Sequence, residues 1–119
     1  GSGGAGIVLA GLWRDRKVAV KVPQCKIDRE AIVKVCSELR KLVRCQHTNV
    51  VQCFGLMVGE KRAGIVMELC ERGSLSKCMS DGWLSGWRVR VCAGLDAAEG
   101  LSYLHDSKLV HRDIKPENL

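Results

Sequence analysis

The chain has 119 residues, a formal net charge of +6, 46% hydrophobic and 27% charged residues, and seven cysteines. This length suits about one small domain, and no apolar run nears the roughly 18 residues of a membrane-spanning helix. The cysteines, at 25, 36, 45, 53, 70, 78 and 92, form no Cys-x-x-Cys pair and lie apart from the histidines, which argues against a zinc framework and for free thiols in a reducing, cytoplasmic compartment.

The first residue is a glycine, with no initiator methionine and no charged-then-apolar leader, and the last is Leu119. The chain is therefore expected to be a piece at both ends. Its basic residues are spread along the sequence and aromatics make up only 4%. A nucleic-acid partner is not expected on that pattern.

In chain order, Gly1-Ser2-Gly3-Gly4-Ala5-Gly6 is followed by an apolar run, Ile7 to Trp13, which suits a strand. Arg14-Asp15-Arg16 is a polar turn and Lys17 to Val22 a second strand, making a hairpin that Pro23 ends. Asp28 to Cys45 is expected to be helical, because Ile32, Val35, Leu39, Leu42 and Val43 recur at three- and four-residue steps. Two more strands, Val50 to Met57 and Gly64 to Leu69, flank the turn Gly59-Glu60-Lys61-Arg62. Glu71-Arg72-Gly73-Ser74 breaks the pattern, and Ser74 is placed to cap a short helix. Trp87 to His105 is a longer helix, apolar on most of its circumference and expected to be buried in a complete domain. Lys108 to Val110 reads as a short strand before His111. The order implies an α+β fold: a mostly antiparallel sheet with one helix, then the start of a helical region.

Chemistry concentrates at four places. Gly1, Gly3, Gly6 and Val8 fit G-x-G-x-x-G-x-V ahead of a strand hairpin. Glycines allow backbone N–H groups to approach phosphate oxygens closely. In Val18-Ala19-Val20-Lys21, strand alternation puts Ala19 and Lys21 on one face. A flat base beside Ala19, covered by Val8, and phosphates beside the Lys21 ammonium would suit that face. Glu38, in mid-helix beside the apolar stripe, is the preferred partner for Lys21, with Glu30 its rival and a surface pair with Lys41 the plainer fate. Met67, Glu68 and Cys70 end a strand where backbone groups would have to supply hydrogen bonds. Last comes His111-Arg112-Asp113-Ile114-Lys115-Pro116-Glu117-Asn118. Here Asp113 can accept a proton from a hydroxyl, Lys115 can stabilise phosphate oxygens, and the Asn118 amide oxygen can ligate magnesium.

The segment from His111 to Asn118 resembles the catalytic loop of protein kinases, H-R-D-x-x-x-x-N, and the elements before it follow the kinase signature order. The resemblance implies a bilobal kinase-like fold, with an N-lobe over residues 1–69, a hinge over 70–73 and a partial C-lobe over 74–119, ending at the catalytic loop. It implies that Gly1, Ser2, Gly3, Gly6 and Val8 cover the phosphates of ATP, and that Lys21 contacts them and pairs with Glu38. Met67 would be the gatekeeper, with the Glu68 carbonyl and the Cys70 amide as adenine contacts. Asp113 would be the catalytic base, Lys115 its phosphoryl partner and Asn118 a Mg2+ ligand. Lysine two places after the aspartate resembles serine/threonine kinases, and the Gly3-Gly4 pair resembles their tyrosine-kinase-like group. ATP, Mg2+ and proteins bearing Ser or Thr are the implied cofactors and partners. The sequence holds no Asp-Phe-Gly after Asn118, so this piece alone is expected to be inactive. A nucleotide-binding scaffold without turnover, a pseudokinase, is the alternative.

Overall fold

The computed structural model describes residues 7–22, 36, 39–40, 42–59 and 63–119. The chain divides into two compact units: Gly1–Gln46 with Val51–Leu69, and His47–Val50 with Cys70–Leu119.

The first unit is built on one sheet of four strands, β1 (Ile7–Trp13), β2 (Arg16–Val22), β3 (Cys53–Val58) and β4 (Ala63–Glu68), in the order β1-β2-β4-β3 with every pairing antiparallel. β2 is rich in valine, whose branched side chain fits a pleated, half-buried surface. It is an inner strand, and its Val18 is 2% exposed. Ala19, Val22, Leu39, Cys45, Cys53 and Ala63 are the other buried hydrophobic residues of this unit among the described residues. The edge strand β1 leaves Ile7, Val8, Leu9 and Leu12 exposed. Arg14 and Asp15 join β1 to β2 with φ of 49° and 61°. Positive φ at both central residues matches the twist of a two-residue hairpin, although neither residue is the usual glycine or asparagine.

Of the helix expected over Asp28 to Cys45, the described residues Cys36, Leu39, Arg40 and Leu42 are helical. The helix ends sooner than expected. Val43 N–H still donates to the Leu39 carbonyl at 2.8 Å, but Cys45 N–H donates to Leu42 at 3.0 Å, a tighter turn that leaves the α ladder. The third strand begins at Cys53 rather than Val50. Asn49 N–H goes to the His47 ring and Val50 N–H to the His47 carbonyl, so these donors close a loop and are lost to the sheet. A bulge between Cys53 and Gly55 shifts the β3–β4 register.

The second unit carries α1 (Leu75–Ser80), α2 (Trp87–Asp106) and a 3-10 turn, Pro116–Asn118. Ser74 caps α1 as its residue type implies: its hydroxyl accepts from Lys77 N–H at 3.3 Å. α2 buries only Gly100 and Leu104, while Trp87, Val89, Val91 and Leu95 are exposed. The loop His47–Val50 belongs to this unit. The His47 ring stacks on Tyr103 with centroids 4.8 Å apart, and the Asn49 amide donates to Glu99 at 3.0 Å. A side chain at Gly100 would run into the Asn49 carbonyl oxygen. The strand expected over Lys108 to Val110 is absent: these residues follow the end of α2 as turn and irregular chain, with Lys108 at φ 59°. Leu109 N–H caps the helix through the Leu104 carbonyl, so the donor a strand would need is spent. Among the described residues, no helix is long and apolar enough to cross a membrane.

Candidate active site

In the first unit the sheet register collects residues that are far apart in sequence. Val8 lies opposite Lys21, Lys21 opposite Ile65, and Ala19 opposite Met67. Directly opposed residues share a sheet face, so Val8, Ala19, Lys21 and Met67 form one surface. Ala19 is buried, Met67 half-buried, and Val8 and Lys21 exposed. This is a small floor flanked by an ammonium group and a valine. Glu68 ends β4, where its N–H donates to the Gln52 carbonyl at 2.8 Å and its carboxylate accepts from Gln52 N–H at 3.2 Å. These two bonds fix the strand end. Gly1, Ser2, Gly3, Gly6 and Glu38 lie outside the described residues.

In the second unit Cys70 opens a turn whose carbonyl accepts from Gly73 N–H at 2.9 Å. Gly73 holds φ 77°, a left-handed conformation that glycine adopts without strain.

The loop after α2 brings three expected residues together. Lys115 Nζ lies 3.0 Å from Asp113 Oδ2, and Asn118 Nδ2 donates to the same oxygen at 2.7 Å. Asn118 Nδ2 also donates to the Asp113 carbonyl at 2.9 Å. Local sequence builds this cluster. Pro116 cannot donate and restricts the residue before it to extended backbone, and Lys115 is extended at φ −162°. Pro116 then starts the 3-10 turn that Asn118 N–H closes on the Lys115 carbonyl at 2.9 Å. That turn folds Asn118 back over Asp113.

Two features of the loop were not legible in the residue pattern. His111 accepts the Asp113 N–H at Nδ1 across 3.3 Å. Arg112 sits at φ 65°, a left-handed conformation that no glycine announces. Both orient Asp113 from behind.

The electrostatics follow from the contacts. The Lys115 ammonium and then the Asn118 amide, as hydrogen-bond donors, hold the Asp113 carboxyl below the usual carboxylate range, with desolvation acting weakly against them. The group is ionised at neutral pH. Both side-chain donors use Oδ2, and among the described residues none bonds Oδ1. The loop thus presents one tethered and one open carboxylate oxygen. Asn118 spends its amide N–H2 on Asp113, and among the described residues no hydrogen bond to its own oxygen is seen.

Comparison with known proteins places the whole chain in one family. A family model described as protein tyrosine and serine/threonine kinase matches residues 1–119. A probable serine/threonine-protein kinase of Dictyostelium discoideum, drkD, is 36% identical across all of this chain, which covers 10% of that relative. The MAP kinase kinase kinase SSK2 of Saccharomyces cerevisiae is 34% identical across the whole chain, covering 8% of that protein. Chitin elicitor receptor kinase 1 of Arabidopsis thaliana is 36% identical, again across the whole chain and 19% of its own length. The chain therefore spans only a small part of the relatives that it matches. Members of this family use ATP and a divalent metal. The chain belongs to the protein tyrosine and serine/threonine kinase family.

Proposed function

We propose that this protein is an ATP-dependent serine/threonine protein kinase acting in signal transduction, and that Asp113 is its catalytic base. The observation that carries the reading is the carboxylate of Asp113, tethered at Oδ2 by Lys115 and Asn118 and open at Oδ1. A substrate hydroxyl donating to Oδ1 would be held with its oxygen free to attack. Because the Asp113 carboxyl is held low, it is a weak base. It would position the hydroxyl early and accept the proton late, as the new bond to phosphorus forms. Lys115 would lend positive charge to the transferring phosphoryl group.

Lys21 would hold the α- and β-phosphates of ATP, with Glu38 as its orienting partner. Ala19, Val8 and Met67 would bound the adenine. The Glu68 carbonyl and the Cys70 amide would hydrogen-bond it, and the backbone of Gly1, Ser2, Gly3 and Gly6 would cover the phosphates. The amide oxygen of Asn118 is a hard donor that fits Mg2+. When bound, that ion neutralises phosphate charge. The free thiols among the described residues fit a reducing, cytoplasmic setting.

The experiment is phosphate transfer from labelled ATP to peptides that differ only in carrying Ser, Thr or Tyr, with the full-length protein and its Lys21→Met variant. Labelling of Ser and Thr peptides, lost in Lys21→Met at unchanged thermal stability, is expected. Nucleotide binding with no transfer to any peptide would replace this reading with that of a scaffold.

A further inference from the structure

The tip of the β1–β2 hairpin carries a second cluster, on the other side of the sheet. Trp13 pairs with Arg16, and both are an odd number of positions from Val8 and Lys21. Strand alternation therefore sets this pair on the face opposite the Val8–Lys21 surface. The Trp13 and Phe54 rings stack with centroids 5.7 Å apart and 25° between planes. The Arg14 guanidinium lies 4.9 Å over Trp13 and that of Arg16 lies 5.3 Å over Phe54. Each ring thus meets one ring and one guanidinium. The tip is accessible: Leu12 is 77% and Trp13 41% exposed. Among the described residues no carboxylate forms an ion pair with Arg14 or Arg16. Beside the tip is a recess of about 360 Å³ lined by Arg16, Lys17, Gln52, Phe54, Glu68 and Leu69.

A guanidinium lying on a ring keeps its N–H edge free, in a fixed fork that matches a carboxylate. The ring beneath restricts the side chain, so less freedom is lost when an anion binds. Arg14 and Arg16 are two such forks, held by a tight turn. The recess between Phe54 and Leu69 is of a different character. Its Glu68 carboxylate is engaged by Gln52 N–H at 3.2 Å and faces the same recess as Arg16 and Lys17, so its charges are mixed, and Phe54 and Leu69 supply its apolar walls. An apolar side chain can pack there against Phe54 and Leu69. Nucleic acid fits poorly, because the rings that would stack bases already carry guanidinium groups and each other.

We propose that the hairpin tip docks an acidic peptide segment of a protein partner, with carboxylates on Arg14 and Arg16 and one bulky apolar side chain in the recess. Arg14 and Arg16 are not among the residues assigned to ATP or to phosphoryl transfer, while the recess shares Glu68 with the proposed adenine contacts. The test uses the full chain and a labelled peptide, rich in Asp and Glu with a single central Leu, followed by fluorescence anisotropy. Saturable binding is expected. The joint variant Arg14→Ala, Arg16→Ala should weaken it about tenfold or more, since hydrogen bonds to charged groups are the strong ones. Replacing the peptide Leu with Ser should weaken it as well. The joint variant Arg14→Lys, Arg16→Lys keeps the charge and removes the fork, and it decides the matter if the alanine variant misfolds. Reduced affinity in the lysine variant supports the docking surface, and wild-type affinity there overturns it. Unchanged affinity in a folded alanine variant overturns it too, as does tighter binding of single-stranded DNA that both variants abolish.

Discussion

The sheet of the first unit and the loop from His111 to Asn118 both supply proposed kinase residues, but they are assembled in opposite ways. Val8, Lys21 and Met67 meet only because three strands pair in one register, so their juxtaposition is long-range. Asp113, Lys115 and Asn118 meet through a proline and one 3-10 turn within six residues. A sheet site fails when a strand slips, since a one-residue shift turns every side chain to the other face. A loop site fails when a single hydrogen-bonding side chain is lost. The two regions should therefore respond differently to mutation.

The largest expected effect is on the loop. Asp113→Asn removes the charge that Lys115 pairs with and the proton acceptor, while leaving an amide of the same shape. General-base loss should lower phosphoryl transfer by about 10²–10⁴-fold with the thermal midpoint nearly unchanged. Steady-state kinetics beside a thermal melt would check both. Turnover close to wild type would remove Asp113 from the role.

Next is a position where local and tertiary effects oppose each other. Gly100 lies inside α2, where alanine is intrinsically better by about 1 kcal/mol. Yet a Cβ there meets the Asn49 carbonyl oxygen, a backbone atom that cannot swing away. Overpacking costs about 1–3 kcal/mol, so after the helix-propensity gain of about 1 kcal/mol Gly100→Ala should destabilise the second unit by up to about 2 kcal/mol net. Chemical denaturation would measure it. A stabilised variant would mean that the His47–Val50 loop yields easily.

That loop also shows what the residue pattern could and could not reveal. Strands β1 and β2 were legible from Ile7 to Val22 because apolar and β-branched runs bracket a polar turn. α2 was legible from its length. Val50 to Gln52 were misread as strand because Val50 and Val51 are apolar and β-branched, while Val50 N–H goes to the His47 carbonyl and Gln52 N–H to the Glu68 carboxylate. Lys108 to Val110 were misread for the same reason, since Leu109 caps α2. The loop cluster was legible as a set of residue types at fixed offsets. The left-handed Arg112 and the His111 acceptor were not, because each depends on backbone geometry that many residues tolerate. His47 and His111 make the same bond, ring Nδ1 to the N–H two residues on, at 3.1 and 3.3 Å. Only His47 also stacks on Tyr103. One local motif thus serves an anchored loop and an exposed one.

A smaller effect is expected at the start of α1. Ser74→Ala removes the hydroxyl that accepts from Lys77 N–H, at a cost of about 1 kcal/mol. Ser74→Asp should restore the cap, because a carboxylate accepts the same donor and favours a helix N-terminus. Circular dichroism melts of the two variants would separate a cap from a generic loss of contacts.

The smallest expected effect is the most specific to the loop. The Asp113 carboxyl titrates below the usual range because Lys115 and Asn118 donate to its charged form. A depressed folded-state value contributes stability that is present above the unfolded carboxylate pKa and is lost as pH falls through the folded one. With Asp113 exposed to solvent, that contribution is small. The titration itself can be read directly by NMR of the carboxyl carbon. Asn118→Ala removes the second donor and leaves Lys115, so the midpoint should move up part of the way toward an ordinary aspartate. Lys115→Met removes the larger influence and should move it further. If Asn118→Ala moved it more than Lys115→Met, the ion pair would be the minor partner. The weak basicity proposed for Asp113 would then rest on the amide whose oxygen is proposed to take the metal.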